Sequence, residues 1–181
     1  NTVLDLIKPH ITDDLHFLIL PETFLVDPIW EHGFSNNLDI KRMSNIIQQN
    51  ASYYFHLDEQ YKYHNLNIIV GATTLALSEK TATSKSLNNH QNQFYEVYNT
   101  AIHLKNPLIY QDTALYNEKD LSIDKYHKSK LVPGAEQMPF QSILFPVLGD
   151  QILKIGSSTS IGNFSRQDSI SLFHVSAFKD L

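Results

Sequence analysis

The stretch that most constrains the fold is Phe17-Leu18-Ile19-Leu20, a short apolar run introduced by His16 and closed at once by Pro21 and Glu22. The run is too short for a buried helix, and its unbroken apolar character suits a strand covered on both faces. Such strands belong to the parallel sheets of α/β proteins, in which ligands sit beyond the carboxyl ends of the strands. Proline ends the run because it has no N–H to give to a ladder. Glu22 then stands either as a cap for the following segment or as a general base at a strand end.

A second stretch carries an unusual density of charge. Lys125, Lys128 and Lys130 precede the apolar pair Leu131-Val132, after which come Pro133, Gly134, an isolated Glu136 and Pro139. Proline and glycine punctuate a loop. A loop with cations and a carboxylate this close together is either a wet surface turn or a rigidly positioned polar site.

Between these stretches the chain reads as alternating elements. Val3, Leu4 and Ile7 fall on one side of a short amphipathic helix over Thr2–Pro9, and 11–14 form a turn into a strand over Leu15–Leu20. Phe24, Leu25, Val26, Ile29 and Trp30 form an apolar cluster broken by Asp27-Pro28. It is either a packed loop or short helix, or an exposed apolar lip of the kind that marks a membrane or ligand surface. Ser35-Asn36-Asn37 can cap a helix whose apolar positions are Leu38, Ile40, Met43, Ile46 and Ile47. A strand is expected over Asn65–Ala72, a solvated loop over Thr73–His90, and a further strand over Phe94–Ile102. Within that strand Asn99 binds either backbone at a site rim or a turn. Leu108-Ile109-Tyr110 begins another strand, and Leu121–Tyr126 leads into the lysines. The segment Ser142–Leu148 is strongly apolar, as core is, and Ser171–Phe178 alternates as a strand does.

Four short blocks, in order, resemble the carbon–nitrogen hydrolase (nitrilase) superfamily, and most closely its apolipoprotein N-acyltransferase family. They are Ile19-Leu20-Pro21-Glu22-Thr23, Ile68-Ile69-Val70-Gly71-Ala72, Tyr98-Asn99-Thr100-Ala101, and the long block Tyr126-His127-Lys128 through Leu131-Val132-Pro133 to Glu136 and Pro139. The resemblance implies an α/β fold, a nitrilase-like α-β-β-α sandwich. It is incomplete here, because the family's first strand would lie before Asn1 and its cysteine strand after Leu181. The chain is thus expected to be one partial domain, 1–181, with an insertion within 27–67. For Ser142–Leu148 the resemblance implies a membrane-facing lid as the other reading besides core. The chain departs from the family in having Gly134-Ala135 where the family has Phe-Gly, and in having no cysteine at all.

What the resemblance implies about chemistry is acyl transfer through a cysteine thioester. Glu22 would be the base, Lys128 the cation that stabilises thiolate and oxyanion, and Glu136 the group that orients Lys128 or assists proton transfer. The acyl donor would be a phospholipid and the acceptor the N-terminal amine of a diacylglyceryl lipoprotein. The parent protein would sit in a bacterial inner membrane with its catalytic domain on the periplasmic face. No cofactor and no metal is implied. Without the nucleophile, the chain by itself is expected to be inactive. Two other readings are a truncated soluble nitrilase-type amidase and a non-catalytic α/β binding domain.

Composition bounds the remainder. At 181 residues, 42% hydrophobic and 18% charged, the chain is long enough for one domain with a proper core. A net charge of −5 gives no footing for nucleic acid. No apolar run reaches the length of a membrane-spanning helix, and the first residues lack the pattern of a secretion signal. His32 has no partner at metal-ligand spacing. The Ile161-Gly162-Asn163-Phe164 turn lacks the glycine spacing and lysine of a phosphate loop, and Ser158-Thr159-Ser160 is no serine-hydrolase elbow.

Overall fold

A computed structural model describes residues 3–12, 15–55, 66–81, 84–87, 93–105, 122–133, 136 and 164–175. Among these residues the chain is α/β, with a mixed six-stranded sheet and few helices. Helix α1 (Val3–Ile7) runs into a single 3-10 turn, Lys8–His10. The Leu15 N–H then bonds the Thr12 carbonyl at 3.1 Å and turns the chain into β1, Phe17–Ile19.

Strand β3, Asn67–Ser78, is the axis of the sheet. On one side it takes two short parallel strands end to end: β1, and then β2 over Leu25–Trp30. On the other side it pairs antiparallel with β5, Phe94–Lys105, over eleven register positions from Ile68↔Leu104 to Ser78↔Phe94. The far side of β5 takes β4 (Lys85–Ser86) at its start and β6 (Ser122–His127) at its end, both antiparallel.

Side chains alternate along each strand, so this register sorts the residues onto two faces. Ile68, Val70, Ala72 and Thr74 lie on one face with Leu104, Ile102, Thr100 and Tyr98 opposite them. Helix α2, Leu38–Phe55, contributes Ile40, Met43, Ile46 and Ile47 to the same hydrophobic core as these aliphatic residues, and Ile40 and Met43 are wholly buried. Asn37 starts the helix: its Oδ1 accepts from the N–H groups of Asp39 and Ile40, both at 3.0 Å. The opposite face carries Asn67, Ile69, Gly71 and Thr73, with His103, Ala101 and Asn99 opposite the last three.

Several expectations are corrected. The apolar cluster around Trp30 is neither loop nor helix but strand β2, which buries Leu25 and Ile29 and leaves Val26 85% exposed. Its register slips between Leu25↔Ala72 and Ile29↔Thr74, a bulge that holds Asp27-Pro28. An irregular edge accommodates a proline that a central ladder would reject. Strand β3 runs six residues past Ala72, through a stretch expected to be loop, because β5 pairs with it as far as Ser78 and β2 as far as Leu75. Strand β1 was expected to be covered on both faces, yet Phe17 and Ile19 are exposed and only Leu20 beyond it is buried. The described part of the Ser171–Phe178 segment, to Val175, is not a strand. The expectations for Leu108–Tyr110, Ser142–Leu148, Ser158–Ser160 and 161–163 lie outside the described residues.

Candidate active site

Strand β1 ends where Pro21 interrupts it, and the chain turns there, the Phe24 N–H bonding the Pro21 carbonyl at 3.2 Å. The same carbonyl accepts from the N–H of Gly71 at 3.2 Å, so the turn lies directly on β3. The fit is very close: a Cβ at Gly71 would stand 2.1 Å from the backbone oxygen of Glu22. Only glycine lets the two backbones approach this far, and the approach fixes where the Glu22 side chain starts.

Strand β6 delivers the lysine. The ladder between β5 and β6 continues one residue past the strand, with the Lys128 N–H bonding the Asn99 carbonyl at 2.8 Å. Alternation from the Thr100↔His127 pair puts the Asn99 and Lys128 side chains on the face away from α2. Glu136 arrives from the loop beyond. Its N–H bonds the Val132 carbonyl at 2.9 Å and its Oε2 accepts from the Val132 N–H at 2.7 Å, which closes the loop on itself.

The three acidic and basic residues expected from the sequence do converge. Lys128 Nζ donates to Glu22 Oε1 at 3.0 Å and to Glu136 Oε1 at 2.9 Å. A fourth residue completes the group: Asn99 Nδ2 donates to the same two oxygens, at 2.5 Å to Glu22 and 2.7 Å to Glu136. The Oε1 atom of each carboxylate thus accepts from one ammonium and one side-chain amide. The sequence left Asn99 undecided, because only the register of β5 against β3 and β6 shows which way it points.

The electrostatics follow from these contacts. The Lys128 ammonium, then the Asn99 amide, hold the Glu22 carboxyl below its ordinary value. Burial pushes Glu136 up, but Lys128, the Val132 N–H and Asn99 outweigh it and hold that carboxyl low as well. The hydrogen bond to Glu136, aided by Glu22, raises Lys128 against the opposing effect of burial. Both carboxylates are therefore ionised and the amine charged at neutral pH. The two carboxylates differ in access: the Glu22 side chain is 58% exposed and that of Glu136 only 12%. Glu22 is thus open to an arriving molecule, whereas Glu136 is tied into its loop by the Val132 N–H and bonds the lysine from there.

A second polar group lies on the other face of the same strands. Glu31, at the start of the 3-10 segment Glu31–Asn36 after β2, accepts from Thr74 Oγ1 at 2.9 Å. Its Oε1 also meets His127 Nε2 at 2.6 Å, and its Oε2 pairs with Lys125. Thr74 and Thr100 share a hydrogen bond at 2.6 Å, and the Tyr98 ring stacks on His127 at 3.8 Å. Burial pushes Glu31 up, yet His127 and Lys125 more than reverse it and bring it down to about 2. The sequence showed none of this. Glu31 and His127 are 96 positions apart, and no motif joins them.

Near the end of β5, His103 is wholly buried, with Nε2 at 2.9 Å from Asn67 Oδ1. An amide oxygen only accepts, so Nε2 carries the proton. Asp124 pairs with Lys105 at 2.6 Å and stands 3.6 Å from His103 Nδ1. Burial lowers the imidazole's proton affinity despite Asp124. His32 packs its ring against Trp30 at 5.4 Å. Among the described residues no group of three His, Asp or Glu side chains is placed to hold a metal ion, and no helix is long and apolar enough to cross a membrane.

Compared with models of known protein families and with curated proteins, the chain finds no match.

Proposed function

We propose that this chain carries the acid–base part of an acyl-transfer site of the carbon–nitrogen hydrolase type, belonging to an N-acyltransferase that works on lipoproteins. The observation that carries the reading is the contact of one ammonium with two carboxylates, each within 3.0 Å, made by residues 106 and 8 positions apart in the chain. The four sequence blocks that resemble the family supply three of the residues around this point, together with Asn99 and Gly71.

In this reading a cysteine thiol supplied from outside residues 1–181 enters beside Lys128. Glu22, ionised and accessible, takes the thiol proton. Lys128 then faces the thiolate, and next the oxyanion that forms when the thiolate attacks a phospholipid ester. Collapse expels the lysophospholipid alkoxide, which recovers the proton from Glu22 and leaves a thioester. The N-terminal amine of a diacylglyceryl lipoprotein attacks the thioester and loses its proton to Glu22, and the thiolate departs. Glu136 and Asn99 keep Lys128 and Glu22 in place throughout. The parent protein acts at the periplasmic face of a bacterial inner membrane, and the chain alone turns nothing over.

The test uses the complete reading frame that encodes this stretch, assayed with a phospholipid and a diacylglyceryl lipopeptide by mass spectrometry. Lys128→Met and Glu22→Gln are each expected to lower N-acylation by at least ~100-fold. Full activity in Lys128→Met, or a reading frame without a cysteine, overturns the reading. Acyl transfer by residues 1–181 alone does so too.

A further inference from the structure

Lys128 depends on the end of β6, which is held along its backbone by the Asn99 carbonyl, at 2.8 Å from the Lys128 N–H, and by Gln167 Oε1, at 3.1 Å from the His127 N–H. The strand has β5 on one side, and the loop that follows it carries both Lys128 and Glu136. On the opposite face, Glu31 reaches from the end of β2 across Thr74 of β3 to His127 and Lys125 of β6. It is a partly buried carboxylate, its side chain 9% exposed, with a donor on each oxygen, and it ties together strands that stand three columns apart in the sheet. His127 and Lys128 are consecutive, so their side chains leave the backbone on opposite faces. A pull on His127 from one face therefore sets the height and tilt of Lys128 on the other.

We propose that Glu31 is a positioning residue for Lys128: from behind the sheet it fixes the end of β6 where the ammonium meets Glu22 and Glu136. The proposal rests on the reading of Lys128 as the working cation of the site. It assigns Glu31 no contact with a reacting molecule.

The sign of one titration tests it. Glu22 faces Lys128, Asn99 and Glu136; Glu31 faces His127, Lys125 and Thr74. If Glu31 acted on Glu22 only through its charge, removing that charge would make Glu22 easier to ionise. If Glu31 positions Lys128, its loss loosens the Lys128–Glu22 pair and makes Glu22 harder to ionise. Carbon-detected NMR titration of the Glu22 carboxyl in residues 1–181 distinguishes the two. In Glu31→Gln the midpoint is expected to rise by roughly 0.5 pH or more, about a threefold change in the ionisation constant. Glu31→Asp keeps the charge but shortens the reach. It is expected to shift Glu22 in the same direction, and it serves if Glu31→Gln does not fold. A midpoint that falls in Glu31→Gln, or that stays at the wild-type position in a folded Glu31→Asp, overturns the proposal. The readout needs no turnover, so Glu31 can fail as a positioning residue while the acyl-transfer reading stands. Failure of that reading would equally leave the titration unchanged.

Discussion

A methyl group on Gly71 would stand 2.1 Å from the carbonyl oxygen of Glu22, far inside contact distance. The neighbour is backbone, so relief requires the Pro21–Glu22 turn to move off β3. Gly71→Ala is expected to cost roughly 1–3 kcal/mol of stability and to return the Glu22 carboxyl toward its ordinary ionisation. Urea denaturation measures the first effect and NMR titration the second. An unaltered Glu22 titration in the folded variant would mean that the turn does not place the carboxylate. Glu31 makes a separate prediction. Its folded value lies below its unfolded one, so its contribution is complete above pH ~4.5 and is lost as pH falls toward about 2. A fall from 4.5 to about 2 corresponds to ~3 kcal/mol. Glu31→Gln should therefore destabilise the protein at pH 7 and flatten the acid limb of its stability curve. A variant that matches wild type at pH 7 and at pH 3 would contradict this. Of these residues Glu22, Lys128 and Glu136 could be singled out in the sequence because each sits in a short block that resembles a known family pattern; punctuation alone left them open between surface turn and site. Glu31, His127 and the role of Asn99 were not, since their partners are set by register.

At the scale of elements, helix α2 was the plainest feature to read, from its apolar spacing and from a run of capping residues. Of that run it is Asn37 that caps, through two bonds of 3.0 Å. Asn37→Ala is expected to cost ~1 kcal/mol, while Asn37→Ser should recover most of it; equal losses in thermal melts would argue against the cap. Strand β2 was the hardest element to read. Its Asp27-Pro28 looks like a turn, and only a bulge at the sheet edge makes room for it. Strand β5 carries a further pH response at His103. The buried imidazole binds its proton less readily folded than unfolded. Its stabilising effect is thus complete above the unfolded value of ~6.5 and is lost as pH falls below it. Acid weakening should begin near pH 6, ahead of the carboxylates, and His103→Gln should remove that early phase. A urea midpoint constant down to pH 5 in wild type would count against it.

For the whole molecule, β3 is the organising strand. It has partners on both edges, and its buried residues Ile68, Val70 and Ala72 belong to the same core as α2. Local openings are rarest where both sides of a strand are bonded and one face is buried. Hydrogen exchange is expected to be slowest over 68–74 and faster over 17–19 and 85–86, where the strands are short and at the sheet edge. Faster exchange in β3 than in β1 would refute this order. The same topology explains how two polar groups can both draw on β5 and the end of β6 without meeting. One face carries the Glu31 network, the other carries Glu22 and Lys128, and the strands between them are the mechanical link.

The sequence by itself determined the α/β character, the helix α2, the strand that leads to Glu22 and the loop that bears Lys128 and Glu136. These depend on local spacing, caps and breakers, which act within a few residues. Only the tertiary structure decided that Lys128 lies within 3.0 Å of both carboxylates, that Asn99 joins them, and that Glu31 holds β6 from behind. Apart from Lys128–Glu136, 8 positions apart, those contacts join residues 37 to 106 positions apart through the pairing of strands. A slip of one residue in β5 or β6 would turn Asn99, or His127 and Lys128, to the opposite face.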